Sequence, residues 1–275
     1  MLYVADNNNN RIQVFSLNQS SNIGTTVVSF VAGPQRIYVD TDGNEPTLYV
    51  TAVYPYCVLK YVKGASVSVK IGDSLFGCSG ISIDNEKNIY VVASYLHIVQ
   101  KYSPLTNSTT IIAGQRGVIN STSKHLNTPE GIYLDQTSGA IYVADTYNAR
   151  IQKWLKDAQE GITVAGSSEG FGGGDAASLL GPKDVFVDKE TNVVYIIDSF
   201  NNRIQRYLPN ATKGDTIAGG FGYGNASNQL WDPVALAFDS NGNLFVSDTY
   251  NNRIQMFTLI DNRSCSEMST GSSMH

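Results

Sequence analysis

The sequence is poor in charge and in the side chains that bind metal ions. Charged residues make up 16% of its 275 residues, the formal net charge is −5, and there are only three histidines and three cysteines. This composition gives no bulk attraction to nucleic acid or to an anionic membrane. His97, His125 and His275 stand in unlike contexts, so we expect no three-histidine zinc site.

Long apolar runs and helical periodicity are also missing. No stretch approaches the ~18 apolar residues that span a bilayer, and residues 1–20 lack a basic segment followed by an apolar one. The sequence contains no CxxC pair. We therefore expect no leader in this stretch, no membrane insertion, no cofactor and no resident metal.

What the sequence does contain is a repeat. The segment LYVADNNNNRIQVF at 2–15 recurs as IYVADTYNARIQKW at 141–154, and two further close copies lie at 194–207 and 244–257. Weaker copies lie at 48–61 and 89–102. A motif of the type PEGIYLD precedes five of the six copies, and a motif of the type ITVAG follows five of them. All are short runs of Val, Ile, Leu, Tyr and Phe between Gly, Pro, Asn and Asp, the pattern typical of strands.

Each unit thus supplies four strands, which we call a, b, c and d in chain order. Four-stranded antiparallel units that recur every 40–53 residues or so predict an all-β, six-bladed β-propeller. The predicted blades span approximately 1–33, 34–72, 78–114, 129–166, 182–219 and 233–260, and the polar segment 261–275 is predicted to be a disordered tail. Strand a of the first blade and strand d of the last are missing, so both blades are incomplete. We expect a fragment of a longer protein rather than an imperfectly closed ring.

The repeat resembles the NHL repeat. Residues 129–152 follow its pattern P-x-G-I-x-x-D and I-Y-V-A-D-T-x-N-x-R-I-Q almost throughout. The resemblance implies a six-bladed propeller but leaves the function open. We expect a non-catalytic scaffold that binds a protein, peptide or glycan through loops on one face. The alternative is a metal-dependent hydrolase or lyase that uses the central channel, similar to paraoxonase or to the zinc-dependent amidating lyases. RNA binding, known for NHL domains of tripartite-motif proteins, is disfavoured because much of the arginine is committed elsewhere.

Four of the six units place an aspartate and an arginine five positions apart, at the turn between strands b and c. The other two units lack both residues, with Ala52 and Cys57 in one and Ala93 and Ile98 in the other. Joint loss predicts a hydrogen-bonded ion pair, because one partner left alone in a partly buried place is costly. A ring of charges that grips a ligand is the alternative. The predicted structural pairs are Asp6 with Arg11, Asp145 with Arg150, Asp198 with Arg203, and Asp248 with Arg253.

An aromatic residue follows two positions after that aspartate slot in five units. We expect these side chains to pack between neighbouring blades; the alternative is an aromatic face that stacks ligands. They are Tyr54, Tyr95, Tyr147, Phe200 and Tyr250. In the second and third units the whole turn is apolar, which makes Tyr54, Tyr56, Tyr95, Leu96 and His97 the first place to look for a protein partner.

Two further sets of loop residues carry expectations. The aspartates that end the a strands are predicted to be turn residues rather than metal ligands: Asp40, Asp84, Asp135, Asp188 and Asp239. The Gly-rich loop 167–181 fits no phosphate-binding motif and is predicted to be a flexible linker.

Asn-x-Ser/Thr sequons, all in predicted loops or the tail, favour a secreted or ectodomain setting. They lie at Asn18, Asn107, Asn120, Asn210, Asn225 and Asn262. In such a setting Cys57 and Cys78 could form a disulfide between the second and third blades, with Cys265 paired elsewhere. The alternative is two buried thiols that fill the arginine and proline slots.

Overall fold

The computed structural model describes residues 1–17, 23–54, 57–62, 68–72 and 77–258, with Cys57 described by its backbone alone. Six antiparallel sheets follow one another along the chain, which confirms the predicted all-β, six-bladed propeller. The first and last sheets have three strands each and the other four have four. The predicted tail 261–275 lies outside the described residues.

The strands pair with their neighbours in sequence within each blade. Blade 1 consists of β1 (Leu2–Asp6), β2 (Arg11–Phe15) and β3 (Thr25–Ser29). Blade 2 consists of β4 (Pro34–Asp40), β5 (Thr47–Ala52), β6 (Cys57–Val62) and β7 (Val69–Ile71). Blade 3 consists of β8 (Cys78–Ile83), β9 (Ile89–Ala93), β10 (Ile98–Ser103) and β11 (Ser108–Gly114). Blade 4 consists of β12 (Ile132–Leu134), β13 (Ile141–Asp145), β14 (Arg150–Trp154) and β15 (Ile162–Gly166). Blade 5 consists of β16 (Pro182–Val187), β17 (Val194–Asp198), β18 (Arg203–Tyr207) and β19 (Asp215–Gly219). Blade 6 consists of β20 (Pro233–Phe238), β21 (Asn243–Asp248) and β22 (Arg253–Thr258).

The b–c connections share one backbone form. Five of them are a single 3-10 turn followed by a residue with φ between 51° and 58°, a region that asparagine tolerates better than most residues. The turns are Asn7–Asn9, Ser94–Leu96, Thr146–Asn148, Ser199–Asn201 and Thr249–Asn251. Because the geometry repeats, corresponding side chains of different blades come out on the same face. No helix in the described part of the chain is long and apolar enough to cross a membrane.

The core lies between the blades and is built from the alternate apolar residues of each strand. The second residue of strand c is fully enclosed in blades 1, 4 and 5, where Ile12, Ile151 and Ile204 are 0% exposed. In blade 6 the equivalent Ile254 is 36% exposed and Met256 is also exposed. The difference follows from strand number, since β22 has no fourth strand beside it among the described residues.

Three of the d–a loops are long, and each buries one leucine. Leu126, Leu179 and Leu230 are all 0% exposed, and each lies three residues before the proline that precedes or opens strand a of its blade. The backbone closes on itself nearby, with bridges from Ile119 to Leu126 and from Tyr223 to Leu230. The prediction of a flexible linker at 167–181 is therefore wrong, because burial of Leu179 anchors that loop in the core.

Candidate functional site

The b–c turns and the d–a loops lie at the same end of the blades, because strand b leads to that end and strand c leads away from it. We call this end the upper face and the opposite end the lower face. The predicted aspartate and arginine pairs face each other at the upper face. Asp145, Asp198 and Asp248 each stand directly opposite their arginine in the b–c register.

Each of these three aspartates is the centre of a small hydrogen-bonded cluster. In blade 5, Oδ2 of Asp198 accepts hydrogen bonds from Nε of Arg203 at 2.7 Å and from the amide of Asn201 at 2.8 Å. Its Oδ1 accepts the backbone N–H of Leu180 at 2.6 Å. Blades 4 and 6 repeat the pattern with Asn127 and Trp231 as the backbone donors. We call this cluster the clasp.

The guanidinium groups of the clasp extend its reach to the preceding d–a loop. Arg203 donates to the backbone carbonyls of Gly174, Asp175 and Ser178 at 2.7–3.0 Å. Arg150 binds the carbonyls of the blade 4 loop and Arg253 those of the blade 6 loop in the same manner, through the carbonyls of Ser121, Thr122, His125, Asn225, Ala226 and Gln229. A planar fork of five N–H donors is suited to collecting several carbonyl groups at once.

This contact explains why the pair is lost as a unit in blades 2 and 3. Their d–a connections are short, so there is no long loop whose carbonyls an arginine would satisfy. The same register places Ala52 opposite Cys57 and Ala93 opposite Ile98. The sequence predicted an ion pair across the b–c turn, but the clasp is also the anchor of the loop that enters the blade.

The clasp is most enclosed in the middle of the chain. The side chains of Arg150 and Asp145 are 1% and 0% exposed, whereas those of Arg11 and Asp6 in blade 1 are 38% and 23% exposed. Burial raises the pKa of the Asp145 carboxyl, and the hydrogen bonds from Asn127, Asn148 and Arg150 act against that rise. The same balance, with burial the larger effect, raises the pKa of Asp198.

A second set of contacts at this face joins blade 1 to blade 2, blade 3 to blade 4, and blade 5 to blade 6. The side chain of the left-handed residue that ends a 3-10 turn accepts the backbone N–H of the residue just before the proline that precedes or opens strand a of the next blade. These bonds, each of 2.9 Å, run from Gly33 to Asn10 Oδ1, from Thr128 to His97 Nδ1 and from Asp232 to Asn202 Oδ1. His97 therefore holds a position that asparagine holds in three other blades, and its role here is a structural contact between blades 3 and 4.

We predicted that the five aromatic residues pack between neighbouring blades, but they are exposed instead. Tyr54, Tyr95, Tyr147, Phe200 and Tyr250 are 46–68% exposed and form an incomplete ring on the upper face. Two of them cover the glycine just before strand a of their own blade, so that a Cβ on Gly77 or Gly181 would meet the ring. The sequence pattern identified the positions but not the side of the blade on which they lie.

The apolar turns of blades 2 and 3 are only partly brought together as a surface. Tyr54 and Tyr95 are exposed, Leu96 is half-buried, and the Leu96 carbonyl accepts the N–H of Gly117 at 3.0 Å. Tyr56 lies outside the described residues. A partner site at these turns stays a prediction.

Blade 6 carries the densest group of exposed aromatic rings. Trp231 stacks on Tyr250 with ring centroids 5.5 Å apart and an interplanar angle of 22°, and Tyr223 lies 5.5 Å from Trp231 on another side. We call these three residues the blade 6 stack. Sequence reasoning missed Tyr223 and Trp231 because they lie in the d–a loop, outside the repeated strands.

The central channel is obstructed near the upper face. Arg36 stands where the repeat has glycine, and its Nη2 donates to the carbonyls of Lys183 at 3.1 Å and Val234 at 2.9 Å, in blades 5 and 6. Its Nε is buried with no partner among the described residues. Burial raises the pKa values of Glu130 and Asp184, which are close enough to Arg36 to feel its charge.

The aspartates that end the a strands have the geometry of turn residues. Oδ1 of each accepts a backbone N–H from two to four residues later in the a–b turn, at 2.8–3.4 Å. They are Asp40, Asp84, Asp135, Asp188 and Asp239. Lys87 adds a link between blades on the lower face by binding both Asp40 and Asp42.

Glycosylation of the sequons and the pairing of the cysteines remain predictions. The asparagines at Asn107, Asn120, Asn210 and Asn225 are exposed, while Asn18 and Asn262 lie outside the described residues. Cys78 is buried at the start of β8. The side chain of Cys57 lies outside the described residues, and both the disulfide and the two buried thiols stay predictions.

The side chains that bind metal ions are not grouped together in the described part of the chain. No group of three or more His, Cys, Asp and Glu side chains there could hold a metal ion. His125 is in contact through both ring nitrogens, with Thr122 Oγ1 at 2.6 Å and Gln115 Oε1 at 3.1 Å.

Comparison with known proteins finds the NHL repeat in two segments of the chain. The model of the NHL repeat matches residues 126–154 and 230–257. The chain is 31% identical over 97 residues to human NHL repeat-containing protein 2, a match that covers 33% of this chain and 13% of that protein. It is 26% identical over 137 residues to a Caenorhabditis elegans protein named as a probable peptidyl-alpha-hydroxyglycine alpha-amidating lyase, covering 50% of this chain and 38% of that protein.

The fold has close parallels among solved structures. An auxiliary nutrient binding protein from Bacteroides thetaiotaomicron superposes with a TM-score of 0.68 over 92% of this chain and 65% of that chain, at 14% identity. Similarity at this identity is a similarity of fold alone. The chain spans less than two thirds of each of these three proteins.

The clasp predicts a large loss of stability when its aspartate is removed. Asp198→Ala leaves the N–H of Leu180, the amide of Asn201 and the Arg203 guanidinium without their acceptor, so we expect a loss of about 3–5 kcal/mol. The melting temperature should fall by roughly 10 °C in a thermal scan. Asp6→Ala, in the more exposed blade 1 pair, is the control and should cost less than about 1 kcal/mol. An unchanged melting curve for Asp198→Ala would contradict a buried clasp.

His97 predicts a pH dependence of stability. Burial lowers the pKa of its imidazole, and a proton on Nδ1 would remove the acceptor for Thr128. The unfolded chain then binds a proton at higher pH than the folded one, so this stability is complete above about pH 6.5 and is lost as the pH falls. His97→Asn keeps the acceptor without the titration and should flatten the profile between pH 7.5 and pH 5 in urea unfolding. Parallel profiles for the two proteins would show that the His97 contact does not contribute.

Proposed function

We propose that this six-bladed β-propeller, two segments of which match the NHL repeat, is a non-catalytic binding module whose upper face holds a protein, peptide or glycan. The observation that supports this most directly is the incomplete ring of aromatic side chains. Five blades present an exposed aromatic residue at the same position of the b–c turn. Aromatic side chains bury much area at low cost in conformational freedom, so they are typical anchors of binding surfaces.

The charges of the upper face support a ligand held by shape and apolar contact. Arg150, Arg203 and Arg253 are bound to their aspartates and to loop carbonyls, and Lys183 is bound to Asp232 at 2.7 Å. These cations are not available to phosphate groups, which disfavours RNA as the partner. The long d–a loops on the same face differ from blade to blade, and loops of this kind carry binding residues more often than strands do.

The enzymatic alternative is raised by the 26% identity to a probable amidating lyase. The resemblance implies a histidine-bound zinc, and the described residues do not fit it. His97 is engaged by Thr128 and His125 by Thr122 and Gln115, on different blades and away from the channel entrance that Arg36 crosses. A channel that is crossed by an arginine also offers little space for a substrate beside a metal ion.

A secreted or ectodomain setting with N-linked glycans is part of the proposal. Its support is that Asn107, Asn120, Asn210 and Asn225 are all exposed and so accessible to modification.

Substitution of the aromatic ring tests the binding proposal. The variant Tyr147→Ala, Phe200→Ala, Tyr250→Ala should bind immobilised glycan or peptide ligands of the wild type at least tenfold more weakly, because each exposed ring contributes contact area. The control is the lower-face variant Leu105→Ala, Leu155→Ala, Leu208→Ala, which removes the same number of exposed apolar residues. Both variants should keep the wild-type melting temperature.

Two results would contradict the proposal. Equal weakening by the upper-face and lower-face variants would show that the aromatic ring is not the binding surface. Stoichiometric zinc or calcium in the purified protein, together with metal-dependent lactonase or amidating-lyase turnover, would replace the scaffold by an enzyme.

A further inference from the structure

The blade 6 stack is built into the fold rather than formed by chance contact of mobile side chains. The backbone N–H of Tyr250 donates to the carbonyl of Trp231 at 3.2 Å, and the N–H of Trp231 donates to Asp248 of the clasp at 2.7 Å. Tyr223 is held next to them by the bridge to Leu230, which is fully buried. The three rings therefore keep their arrangement without a ligand, which lowers the cost of binding one.

The stack is specific to one blade. Blade 5 has Leu180 at the position of Trp231 and blade 4 has Asn127, each two residues before the proline of strand a. Tyr147 thus occupies the same position as Tyr250 without an aromatic partner in its loop. A role in the fold would be expected of all three blades, so the additional rings of blade 6 call for another explanation.

The loop that carries Tyr223 and Trp231 is uncharged. Residues 216–231 contain no Asp, Glu, Lys or Arg. The nearest charged residues in sequence are already paired, Asp248 with Arg253 at 2.7 Å and Asp232 with Lys183 at 2.7 Å. An anionic or cationic ligand would find no counter-charge here, whereas a neutral ligand loses no ionic hydration on binding.

The rings carry neutral hydrogen-bonding groups. Among the described residues, none forms a hydrogen bond with the indole N–H of Trp231 or with the hydroxyls of Tyr223 and Tyr250. These groups can both donate and accept at the edges of a ligand that lies on the rings.

We propose that the blade 6 stack binds a neutral oligosaccharide. The proposal deepens the binding role suggested above and rests on it. A pyranose ring has an apolar C–H face, which packs on an aromatic face, and a rim of hydroxyls, which the indole N–H and the phenol groups can satisfy. A proline-rich peptide also packs on aromatic rings, but it presents few donors to match this polar rim.

The two tryptophans make the site directly observable. Trp231 is 42% exposed and Trp154 is 2% exposed, and the chain contains no other tryptophan. In the variant Trp154→Phe the fluorescence therefore reports on the stack alone. Bacterially produced protein of the full chain is used, so that Asn225 in the same loop carries no glycan.

The experiment titrates Trp154→Phe protein with neutral gluco-, manno-, galacto- and xylo-oligosaccharides of two to six units. We expect a saturable change in emission with at least one of them. In the otherwise wild-type chain, followed by calorimetry, Trp231→Ala should abolish binding of that sugar and Tyr250→Ala should weaken it about tenfold. Leu105→Ala, which removes an exposed apolar side chain on the lower face, should change it less than twofold.

Three outcomes would overturn the inference. They are no saturable response to any neutral oligosaccharide, a response to proline-rich peptides or charged sugars alone, and binding that Trp231→Ala leaves unchanged. If such a result is obtained while the triple upper-face variant still loses another ligand, the sugar site is wrong and the binding module stands. If neither the stack nor the upper-face ring affects any ligand, both proposals fail.

Discussion

The hydrogen-bonded clasp of aspartate, arginine and backbone is the interaction on which the architecture of blades 4 to 6 depends. One carboxylate accepts the N–H of the incoming loop, an asparagine amide and a guanidinium, and that guanidinium gathers three loop carbonyls in blade 5. A buried carboxylate or guanidinium without its partners is costly, so the set is kept or lost together. The strand turn and the loop before it are fixed by the same few atoms.

This constraint accounts for the differences between blades. Long d–a loops occur where the clasp is present, and each of those loops adds one fully buried leucine. Blades 2 and 3 have short connections and small or apolar residues in the same positions. The clasp thereby holds d–a loops of different sequence at the same place in blades 4 to 6. Tyr223 and Trp231 of the blade 6 stack lie in such a loop. Loops of this kind can differ in sequence without a change in the propeller.

The sequence was sufficient for the strands, their order and the ion pairs, because each of these is repeated and local in register. The exposure of the five aromatic residues could not be predicted from the sequence, because a repeated position does not show which neighbours cover its side chain. A signal for the loop leucines was present in the spacing of Leu126, Leu179 and Leu230 from the following prolines. Arg36 was visible as a departure from glycine, but its reach across the channel depends on contacts between distant blades. The proximity of Tyr223, Trp231 and Tyr250 likewise arises only when the loop is folded.

Amide hydrogen exchange in Arg253→Lys protein tests the central claim that the clasp holds the loop. Lysine keeps the charge opposite Asp248 but cannot donate to the carbonyls of Asn225, Ala226 and Gln229 together. We predict faster exchange at the loop amides of Gly224 and Gln229, with the loops of blades 4 and 5 unchanged. Exchange in the blade 6 loop at the wild-type rate would show that the loop is held without the arginine and would contradict the account.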